Sequence, residues 1–408
     1  MKTKVLIIQN NLNCGGAEKS LVTLLNTINY KKYQVDLFLF KHEGIFLKSV
    51  PSEVNLLPEL EYYKYFDMNF KMSIKNLLNE KKFNIAYYRV LLSIILKIND
   101  NSAIVEQKMW KYISKTIPEF TNQYDVAIGY QEKNPVYFCI DKVNAKKKIG
   151  WIHTDINKLQ INKKKELECF QKLDYIVTVS EECAKSIKEI SPKLFDKIKV
   201  IYNILSPKLI SNLSKVEVID GPQNNENRVN IITVARLGNE KGIDLAINSC
   251  KILVDRGYHI YWYVIGEGKE RDNLNSLINK LDLKENFKLL GIRENPYPYI
   301  EKADIYVQPS KYEGKSIALD EAKILSKPII VTNYTTSKDQ INNDCDGLIV
   351  DMNELAIAEG IEKLINDNSL RNFLSNNLLK QNLGTENEIN KLYNLLGHKS
   401  INLGGKYD

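Results

Sequence analysis

Two glutamates stand eight positions apart in the stretch KYEGKSIALDEAK, residues 311–323. The apolar run ADIYVQPS before it predicts a buried strand, and IALDEAKIL within and after it predicts a helix. Glu313 then lies in the loop that leaves the strand, and Glu321 lies about one turn into the helix. Both carboxylates can face the space above the carboxyl end of the strand, where open α/β sheets bind their ligands. The spacing therefore predicts a ligand site with two carboxylates.

Two cations stand in a similar place in VARLGNEKGIDLAI, residues 234–247. Arg236 follows a predicted strand, and Lys241 lies in the loop before a predicted helix, among glycines that let a ligand approach the backbone. A helix N-terminus with arginine and lysine suits a diphosphate. The alternative interpretation is a turn that carries two solvated cations.

The stretch VIGEGKERDNL, residues 264–274, contains Gly266 and Gly268 and resembles the start of a dinucleotide-binding fingerprint. Its third glycine position is occupied by Arg271, and no acidic strand end follows about 20 residues later. The stretch is weak evidence for NAD, although Gly266 remains a candidate for contact with a ligand.

The first half of the chain offers two further candidates. CGGAEKS places Gly15 and Gly16 at a loop-to-helix junction, where their amides can bind phosphate or sugar. A simple helix start explains them as well. GWIHTD places His153 at a strand end, although a lone histidine is more often structural than catalytic.

Strands and helices alternate along both halves of the chain, which predicts α/β domains with parallel sheets. With 408 residues the chain suggests two domains. A polar stretch with a GPQNNEN breaker, residues 211–230, predicts the linker. We therefore expect domains over 1–215 and 226–384. The predicted strands are 4–10, 33–40, 124–130, 147–153, 173–180, 230–236, 261–268, 287–291, 303–310, 327–333 and 347–351.

Composition indicates a soluble globular protein without a signal peptide or an apolar run long enough to span a bilayer. The six cysteines show no paired spacing, so we interpret them as reduced thiols of a cytosolic protein. An acidic turn, DCD within NNDCDG, is better explained by turn chemistry than by a metal. We see no basic-aromatic surface in a known nucleic-acid-binding module.

Charge is distributed unevenly. Residues 1–215 hold 34 Lys or Arg against 22 Asp or Glu, whereas residues 216–408 hold 23 against 28. A basic first half suggests an anionic partner such as a membrane surface. A generally lysine-rich composition is the alternative. Residues 61–112 are both basic and dotted with aromatic residues, and they contain the helix candidate YRVLLSIILKI, residues 88–98.

Together these motifs resemble retaining glycosyltransferases of family 4, which have the GT-B fold of two Rossmann-like domains facing across a cleft. The resemblance covers nearly the whole chain. It is strongest over 230–350, where VARL-x3-KG, IGEG, LLG and S-x2-EGKSIALDEA follow the order found in the family. GGAEKSLVTLL, YDVAIGYQE and GWIHTD resemble the branch that assembles bacterial capsule and surface polysaccharides.

The resemblance implies a role for each candidate. Glu321 would bind the ribose of a nucleotide-sugar, and Glu313 would reach the transferred sugar or its phosphate. Arg236 and Lys241 would hold the diphosphate and stabilise the leaving group. The implied catalytic set is Glu313, His153, Arg236 and Lys241. The implied donor-binding set is Gly15, Gly16, Arg236, Lys241, Gly266, Ile292, Glu313, Lys315, Ser316 and Glu321.

Finer contacts follow from the same resemblance. Amides around Lys315 and Ser316 would face the phosphates or the sugar, His153 would lie near the sugar, and Ile292 with Arg293 would lie near the base. Family members often have EGFGL where this chain has EGKSI, so Lys315 replaces an aromatic residue. No metal or other cofactor is implied, because Arg and Lys would take the place of a divalent cation. No nucleophile is assigned, since a same-face mechanism with the leaving phosphate as base fits equally well.

The resemblance implies transfer of a hexose or N-acetylhexosamine, with a UDP-sugar as the default donor, to a polyprenyl-linked acceptor. The first domain would bind the acceptor and lie on the inner face of the cytoplasmic membrane through its basic region. A C-terminal helix within 385–408 would cross back to that domain. Two alternatives stay open, namely a nucleotide-sugar epimerase and a catalytically weak scaffold subunit of a polysaccharide assembly complex.

Overall fold

A computed structural model describes residues 2–13, 15–98, 102–159, 161–222 and 228–397 of the chain. It contains two compact units. The first unit comprises Met1–Ile204 together with the C-terminal segment that begins at Asn387, and the second unit comprises Leu205–Glu386.

The first unit is built on a parallel sheet with the strand order β3-β2-β1-β4-β5-β6-β7. Its strands are β1 (Thr3–Gln9), β2 (Tyr33–Leu39), β3 (Asn55–Leu56), β4 (Phe120–Gly129), β5 (Val143–Ile152), β6 (Tyr175–Thr178) and β7 (Ile198–Val200). Its helices in chain order are α1 (Gly16–Thr27), α2 (Lys64–Asp67), α3 (Phe70–Asn79), α4 (Phe83–Ile98), α5 (Ser102–Ile113), α6 (Asn134–Lys142), α7 (Lys163–Gln171) and α8 (Glu181–Ile190).

The second unit repeats this strand order in a parallel sheet, β10-β9-β8-β11-β12-β13. Its strands are β8 (Val229–Val234), β9 (Ile260–Ile265), β10 (Phe287–Gly291), β11 (Ile305–Gln308), β12 (Ile329–Thr332) and β13 (Leu348–Val350). Its helices are α9 (Pro207–Ser214), α10 (Ile243–Asp255), α11 (Arg271–Lys280), α12 (Tyr297–Lys302), α13 (Ile317–Ile324), α14 (Ser337–Gln340), α15 (Glu354–Asn366) and α16 (Asn368–Leu379).

Both sheets are buried on both faces, which explains their continuous apolar strands. In β1, Val5 and Ile7 pack on the side of α1, while Leu6 and Ile8 pack with the layer that holds α3 to α6. Successive side chains of a strand point to opposite faces, so each strand supplies two cores. The sequence therefore shows unbroken apolar runs instead of an alternating pattern.

A last helix, α17 (Glu388–Leu395), returns to the first unit. Its Ile389 and Leu392 are buried in the core formed with α1, and the ring of Tyr393 stacks on Tyr33 at 5.0 Å between centroids. The backbone N–H of Tyr202 donates to Glu388 at 2.9 Å. We predicted a helix within 385–408 that crosses back to the first domain, and α17 is grouped with the first unit. Residues 398–408 of the predicted segment lie outside the described part of the chain.

The boundary between the units differs from the expected one. We predicted a first domain that ends at 215, but the second unit begins at Leu205. The difference arises because α9 packs against α12, and its Ile210 is buried with Tyr297 and Ile300 in a core of the second unit. The polar appearance of residues 211–230 concealed this helix. Of the predicted linker, residues 223–227 lie outside the described residues.

Residues 64–113 add a helical layer, α2 to α5, beside the first sheet. The helix predicted over 88–98 begins earlier, at Phe83. None of the helices within the described ranges combines the length and apolar character needed to cross a bilayer.

Candidate functional site

The sheet order places a switch point between β8 and β11 in the second unit. The chain leaves β8 toward β9 on one side, and β11 pairs with β8 on the other. Loops that follow two such strands diverge and leave a crevice at their carboxyl ends, which is where open α/β sheets bind ligands. Lys241 follows β8 and Glu313 follows β11, so the sheet brings these two predicted site residues to one crevice.

Lys241 and Glu313 form a buried ion pair. Nζ of Lys241 lies 2.7 Å from both Oε1 and Oε2 of Glu313, whose side chain is 8% exposed. Oε1 also accepts hydrogen bonds from Nε2 of Gln308 at 2.9 Å and from Oγ of Ser310 at 2.8 Å. Several hydrogen bonds to one carboxylate fix its position, so the ion pair is a rigid part of the crevice.

The side chain of Arg236 is less constrained than that of Lys241. Its side chain is 69% exposed, and the nearest carboxylate is that of Glu240 at 3.6 Å. An exposed pair of this kind contributes little to stability. The guanidinium is therefore available to an anionic ligand, and its planar donors match phosphate oxygens.

Two glycines let the loops of this unit approach each other closely. Gly242 has φ +63°, and a Cβ there would lie 1.9 Å from the carbonyl oxygen of Pro309. Gly266 has φ +145°, and a Cβ there would lie 1.9 Å from the carbonyl oxygen of Ala235. Side chains at these positions would clash with the backbone. Packing between loops thus accounts for Gly266, which we predicted as a ligand contact.

Ser316 caps α13. Its Oγ accepts from the backbone N–H of Leu319, and its own N–H donates to Oε1 of Gln340 at 2.9 Å. A phosphate at the Ser316 amide would have to replace Gln340 as acceptor. Nζ of Lys315 lies 3.7 Å from Oδ2 of Asp320, and burial raises the pKa of that carboxyl group although Lys315 partly offsets the effect.

Glu321 lies in the same helix but is 1% exposed. Its Oε1 accepts a hydrogen bond from the hydroxyl of Tyr297 at 3.0 Å. Burial, and secondly the charge of Glu321, raise the pKa of Tyr297 well above its usual value, so this hydroxyl remains a donor. Sequence analysis did not predict a role for Tyr297, because its partner is 24 positions away.

The loop after β10 holds Ile292, which is half-buried, and Arg293. Nε of Arg293 donates to the hydroxyl of Tyr299 at 2.9 Å, and its guanidinium also pairs with Asp220. Hydrogen bonds from Tyr299 first and Arg293 next hold the pKa of Asp220 below its usual range. Arg293 is therefore engaged with the segment before β8, a contact that the sequence did not reveal.

The first unit carries the remaining candidates at its own switch point, where β1 and β4 are neighbours. Gly15 caps α1 in an extended conformation with φ −148°, and Gly16 begins the helix. A Cβ on Gly15 would lie 2.1 Å from Oε2 of Glu18. The carboxylate of Glu18 thus folds back over the helix start, and an anion at these amides would first have to displace it.

His153 follows β5 and lies against Tyr130, with ring centroids 5.0 Å apart. Its backbone N–H donates to Oε2 of Glu132 at 3.0 Å. Burial lowers the pKa of His153 from 6.5 to about 4, although Glu132 and a hydrogen bond to the Tyr130 backbone oppose this shift. The imidazole is therefore neutral at physiological pH. Glu132 ends the stretch YDVAIGYQE that carries part of the resemblance, but the sequence did not predict its contact with His153.

The structure brings His153 and the start of α1 to one region. Oγ of Ser20 in α1 lies 2.9 Å from the hydroxyl of Tyr130, whose ring contacts His153. Buried polar atoms here lack a hydrogen-bond partner among the described residues. They are Nε2 of Gln9, Oδ1 of Asn134, Nε1 of Trp151 and Nε2 of His153.

The predicted candidates therefore form two groups, each within its own unit. In the second unit the loops after β8 and β11 hold Arg236, Lys241 and Glu313, while Lys315, Ser316 and Glu321 lie at or in the following helix α13. In the first unit Gly15, Gly16 and His153 lie at the carboxyl edge of the sheet. Within the residues that the structure describes, we find no cluster of three or more His, Cys, Asp or Glu that could hold a metal ion.

Comparison with known proteins finds similarity in the second unit. Residues 215–381 match the family described as "Glycosyl transferases group 1". A capsular polysaccharide biosynthesis glycosyltransferase of Staphylococcus aureus, CapM, is 37% identical over 147 residues, which are 35% of this chain and 38% of CapM. The N-acetylgalactosamine-N,N'-diacetylbacillosaminyl-diphospho-undecaprenol 4-alpha-N-acetylgalactosaminyltransferase of Campylobacter jejuni is 28% identical over 190 residues, 46% of this chain and 48% of the relative.

Solved structures have a similar fold over nearly the whole chain. Anabaena Alr3699/HepE, crystallised with UDP and glucose, aligns with a TM-score of 0.66 at 14% sequence identity and covers 97% of this chain and 99% of its own. The matches to curated relatives, by contrast, span about half of those proteins or less. Residues 215–381 are thus similar to the glycosyl transferases group 1 family, and the chain has the GT-B fold with two Rossmann-like domains.

Proposed function

We propose that this protein is a retaining glycosyltransferase of family 4. It transfers a hexose or N-acetylhexosamine from a nucleotide-diphosphosugar to a growing, polyprenyl-linked surface polysaccharide. The observation that carries this proposal is the buried pair of Lys241 and Glu313, with the exposed Arg236 beside it, at the switch point of the group 1 domain.

The cations suit a diphosphate leaving group. Cleavage of the bond between the sugar and the diphosphate develops negative charge on the phosphate oxygens, and fixed cations stabilise that charge. Lys241 is held in place by Glu313, whereas Arg236 is free to close on the ligand. Lys241 therefore supplies a positive charge at a fixed position, and Arg236 supplies hydrogen-bond donors that can move to the ligand.

The surroundings of Glu313 favour a same-face mechanism. Its carboxylate already accepts hydrogen bonds from Lys241, Gln308 and Ser310. A carboxylate with several donors is a weak nucleophile, because each hydrogen bond stabilises its charge. We therefore assign Glu313 to the positioning of Lys241 and of the transferred sugar, and the leaving phosphate to the role of base.

The remaining donor contacts are part of the proposal. Glu321 takes the ribose, and Ile292 lies near the base. The amides of Lys315 and Ser316 bind the phosphates, where a phosphate oxygen replaces Oε1 of Gln340 as the acceptor of the Ser316 N–H. For the first unit by itself, we propose that Gly15, Gly16 and His153 contact phosphate or sugar, with the neutral Nε2 of His153 accepting a hydrogen bond from a sugar hydroxyl. No metal takes part in this scheme, since cationic side chains neutralise the diphosphate.

Uridine is the base that we propose, because HepE was crystallised with UDP and the motifs resemble a family that favours it. The acceptor class is suggested by the Campylobacter relative, whose name specifies a diphospho-undecaprenol substrate. CapM supports a place in capsule or surface-polysaccharide assembly. Such an acceptor fits a protein that works peripherally on the inner face of the cytoplasmic membrane.

Thermal melts with UDP, GDP, ADP and NAD test the donor class. A ligand at 100 times its dissociation constant adds ~2.7 kcal/mol to the free energy of unfolding, which moves the midpoint by a few degrees. We expect UDP alone to stabilise the wild type and to lose its effect in Arg236→Ala. Arg256, at the other end of α10, provides the control variant Arg256→Ala. No shift with any nucleotide would contradict the proposal and favour a scaffold subunit.

An assay without acceptor separates transfer from epimerisation. Incubation of the protein with UDP-sugars alone, followed by chromatography, should leave the sugar configuration unchanged. Conversion to an epimeric nucleotide-sugar would overturn the transferase assignment even if UDP bound as expected.

A further inference from the structure

The side chain of Gln340 occupies the first backbone groups of α13. Oε1 of Gln340 accepts from the N–H of Ser316 at 2.9 Å, and Nε2 donates to the carbonyl oxygen of the same residue at 2.8 Å. Nε2 also donates to Oδ1 of Asp320 at 2.8 Å. Gln340 is buried, so these contacts are shielded from water. A neutral side chain from α14 thus holds the amide at which the proposed function places a phosphate.

The backbone of Gln340 is held by contacts that do not involve its side-chain amide. Its carbonyl oxygen accepts from Nζ of Lys323 at 2.6 Å. In the same loop, Oγ1 of Thr336 donates to the carbonyl oxygen of Glu313 at 3.1 Å. The side chain of Gln340 can therefore turn away from Ser316 while α14 keeps its place.

A phosphate oxygen is a stronger acceptor for this amide than the oxygen of a glutamine. A hydrogen bond to an ionised acceptor is about twice as strong as one between neutral groups. The start of a helix also carries a partial positive charge that favours an anion. A phosphate can therefore displace Gln340 from Ser316, but it must first break the existing hydrogen bond. This competition lowers the apparent affinity for the ligand, because only the fraction of molecules with an open amide can bind.

Tyr334 provides a hydrogen-bond donor for the displaced side chain. It lies at the turn before α14, where its carbonyl oxygen accepts from the N–H of Ser337 at 2.9 Å. Its hydroxyl is buried and has no hydrogen-bond partner among the described residues. Burial first, and then the charges of Glu313 and Asp320, raise the pKa of Tyr334, so the hydroxyl stays protonated. Buried donors are nearly always paired in native proteins, so this donor has the capacity for an acceptor that moves to it.

We propose that Gln340 is an internal competitor of the donor phosphate and that Tyr334 receives its side chain when the donor binds. The phosphate takes the N–H of Ser316, and Oε1 of Gln340 turns to the hydroxyl of Tyr334. The carbonyl oxygen of Ser316 keeps a partner, since the N–H of Asp320 donates to it at 3.3 Å. The exchange thus avoids the cost of a buried polar group without a partner. The inference rests on the proposed function, which brings a nucleoside diphosphate to this amide.

Calorimetric titration with UDP tests the competition. Gln340→Met keeps the length of the side chain but leaves the N–H of Ser316 open, so UDP should bind roughly fivefold more tightly than to the wild type. A purely structural role would have the opposite sign, because the loosened loop would weaken binding. Thr336→Val is the matched control, since it removes a different hydrogen bond of the same loop and should not tighten binding.

A second variant tests the receiving hydroxyl. Tyr334→Phe removes a hydroxyl that has no partner among the described residues, so its unfolding midpoint without ligand should match that of the wild type. UDP should bind roughly fivefold more weakly, because the displaced Oε1 of Gln340 then finds no donor. The control is Tyr258→Phe, which should bind UDP like the wild type. Tyr258 precedes β9 at the opposite end of the sheet, and its hydroxyl donates to Glu362 at 2.8 Å.

The double variant Gln340→Met/Tyr334→Phe tests whether the two residues act together. If Tyr334 acts on UDP through Gln340, Tyr334→Phe has no effect in the Gln340→Met background, and the two changes do not add. We expect this result. An equal weakening by Tyr334→Phe in both backgrounds would mean that its hydroxyl acts on the ligand without Gln340, which would overturn the proposal.

The titrations also separate this inference from the proposed function. UDP binding to the wild type, with equal or weaker binding to Gln340→Met, overturns the inference alone. Absence of UDP binding to both proteins overturns the proposed function and the inference with it. Circular dichroism shows whether each variant is folded at the temperature of the titration. If Gln340→Met does not fold, Tyr334→Phe decides, and an unchanged affinity for UDP overturns the inference.

Discussion

The crevices of the two units lie at equivalent places in their sheets, yet the buried polar groups around them differ in their hydrogen bonding. In the second unit, the carboxylate of Glu313 accepts from Lys241, Gln308 and Ser310. In the first unit, buried polar atoms of Gln9 and His153 have no hydrogen-bond partner within the described ranges. The carboxylate of Glu313 is fully paired, although the buried hydroxyl of Tyr334 near it has no partner among the described residues. In the first unit, several buried polar atoms have unused hydrogen-bonding capacity.

This difference indicates how each crevice meets a ligand. Buried polar atoms in native proteins are nearly always paired, so several unpaired ones in one place indicate a ligand or bound water. A donor and an acceptor of neutral character, such as Nε2 of Gln9 and Nε2 of His153, suit sugar hydroxyls. The network around Glu313 instead fixes the cation Lys241, as electrostatic stabilisation of a leaving group requires.

Among the variants of the second-unit crevice, we expect the largest loss of stability from Lys241→Met. It leaves the buried carboxylate of Glu313 without its cation, which costs about 3–5 kcal/mol when one partner of a buried pair is removed. We expect the free energy of unfolding in urea to fall by that amount and the UDP shift to vanish. Arg236→Ala should abolish only the UDP shift, because its guanidinium is 69% exposed.

Lys251→Met is the matched control for this loss. Lys251 pairs with Asp255 at 2.6 Å on the exposed face of α10, with a side chain 37% exposed. Such surface pairs contribute less than about 1 kcal/mol. If both lysine variants lost the same stability, the pair at Glu313 would not be the rigid element that we describe.

The incomplete crevice can be tested through the pH dependence of stability. The pKa of His153 is lowered from 6.5 to about 4 in the folded state, chiefly by burial. As the pH falls below 6.5 the unfolded state takes up this proton first, so stability that is present above pH 6.5 is lost toward pH 4. Each pH unit in this window removes up to about 1.4 kcal/mol.

Urea unfolding of the wild type and His153→Gln at pH 7, 6 and 5 measures this effect. The difference in unfolding free energy between the two proteins should change by the stated amount per unit, in favour of the variant at low pH. His259→Gln at an exposed position serves as the control and should follow the wild type. Parallel curves for His153→Gln and the wild type would show that the imidazole is not held neutral.

The fold was largely predictable because its signals are local. Buried parallel strands produce apolar runs such as KVLIIQN. These runs alternate with helical patterns along the chain, as a doubly wound domain requires. The short strands β3 and β7 were missed, since two or three residues do not form a pattern. Helix α9 was missed because only Ile210 and Ser214 in it are buried, which leaves its sequence mostly polar.

The candidate site was predictable where neighbouring residues carry it. Lys241 and Glu313 each stand next to a strand end, and the sheet order brings those ends together. Contacts between distant segments were invisible, as with Tyr297 and Glu321 or Arg293 and Asp220. The backbone position of Gly266, against the carbonyl of Ala235, also became visible only in three dimensions.

The smallest effect on stability is expected from a substitution of Gln9 in the first unit. Gln9 is fully buried at the end of β1, where its Oε1 accepts from the N–H of Asn10 at 3.1 Å while Nε2 has no partner among the residues described. Gln9→Met keeps the volume and removes the unpaired amide. Because a buried donor without a partner is itself unfavourable, we expect the unfolding free energy to change by less than about 1 kcal/mol.

The same variant should lose function if the first crevice binds sugar hydroxyls. In an assay of the proposed transfer reaction, the apparent KM for the saccharide acceptor or donor should rise while the UDP shift stays at the wild-type value, because Gln9 belongs to the first unit. Gln308→Met is the counterpart in the second unit, where Nε2 donates to Glu313 and Ser310. It should cost more stability than Gln9→Met, since its loss leaves Glu313 one donor short. Equal costs for the two glutamines would mean that the crevices do not differ in the way their polar atoms indicate.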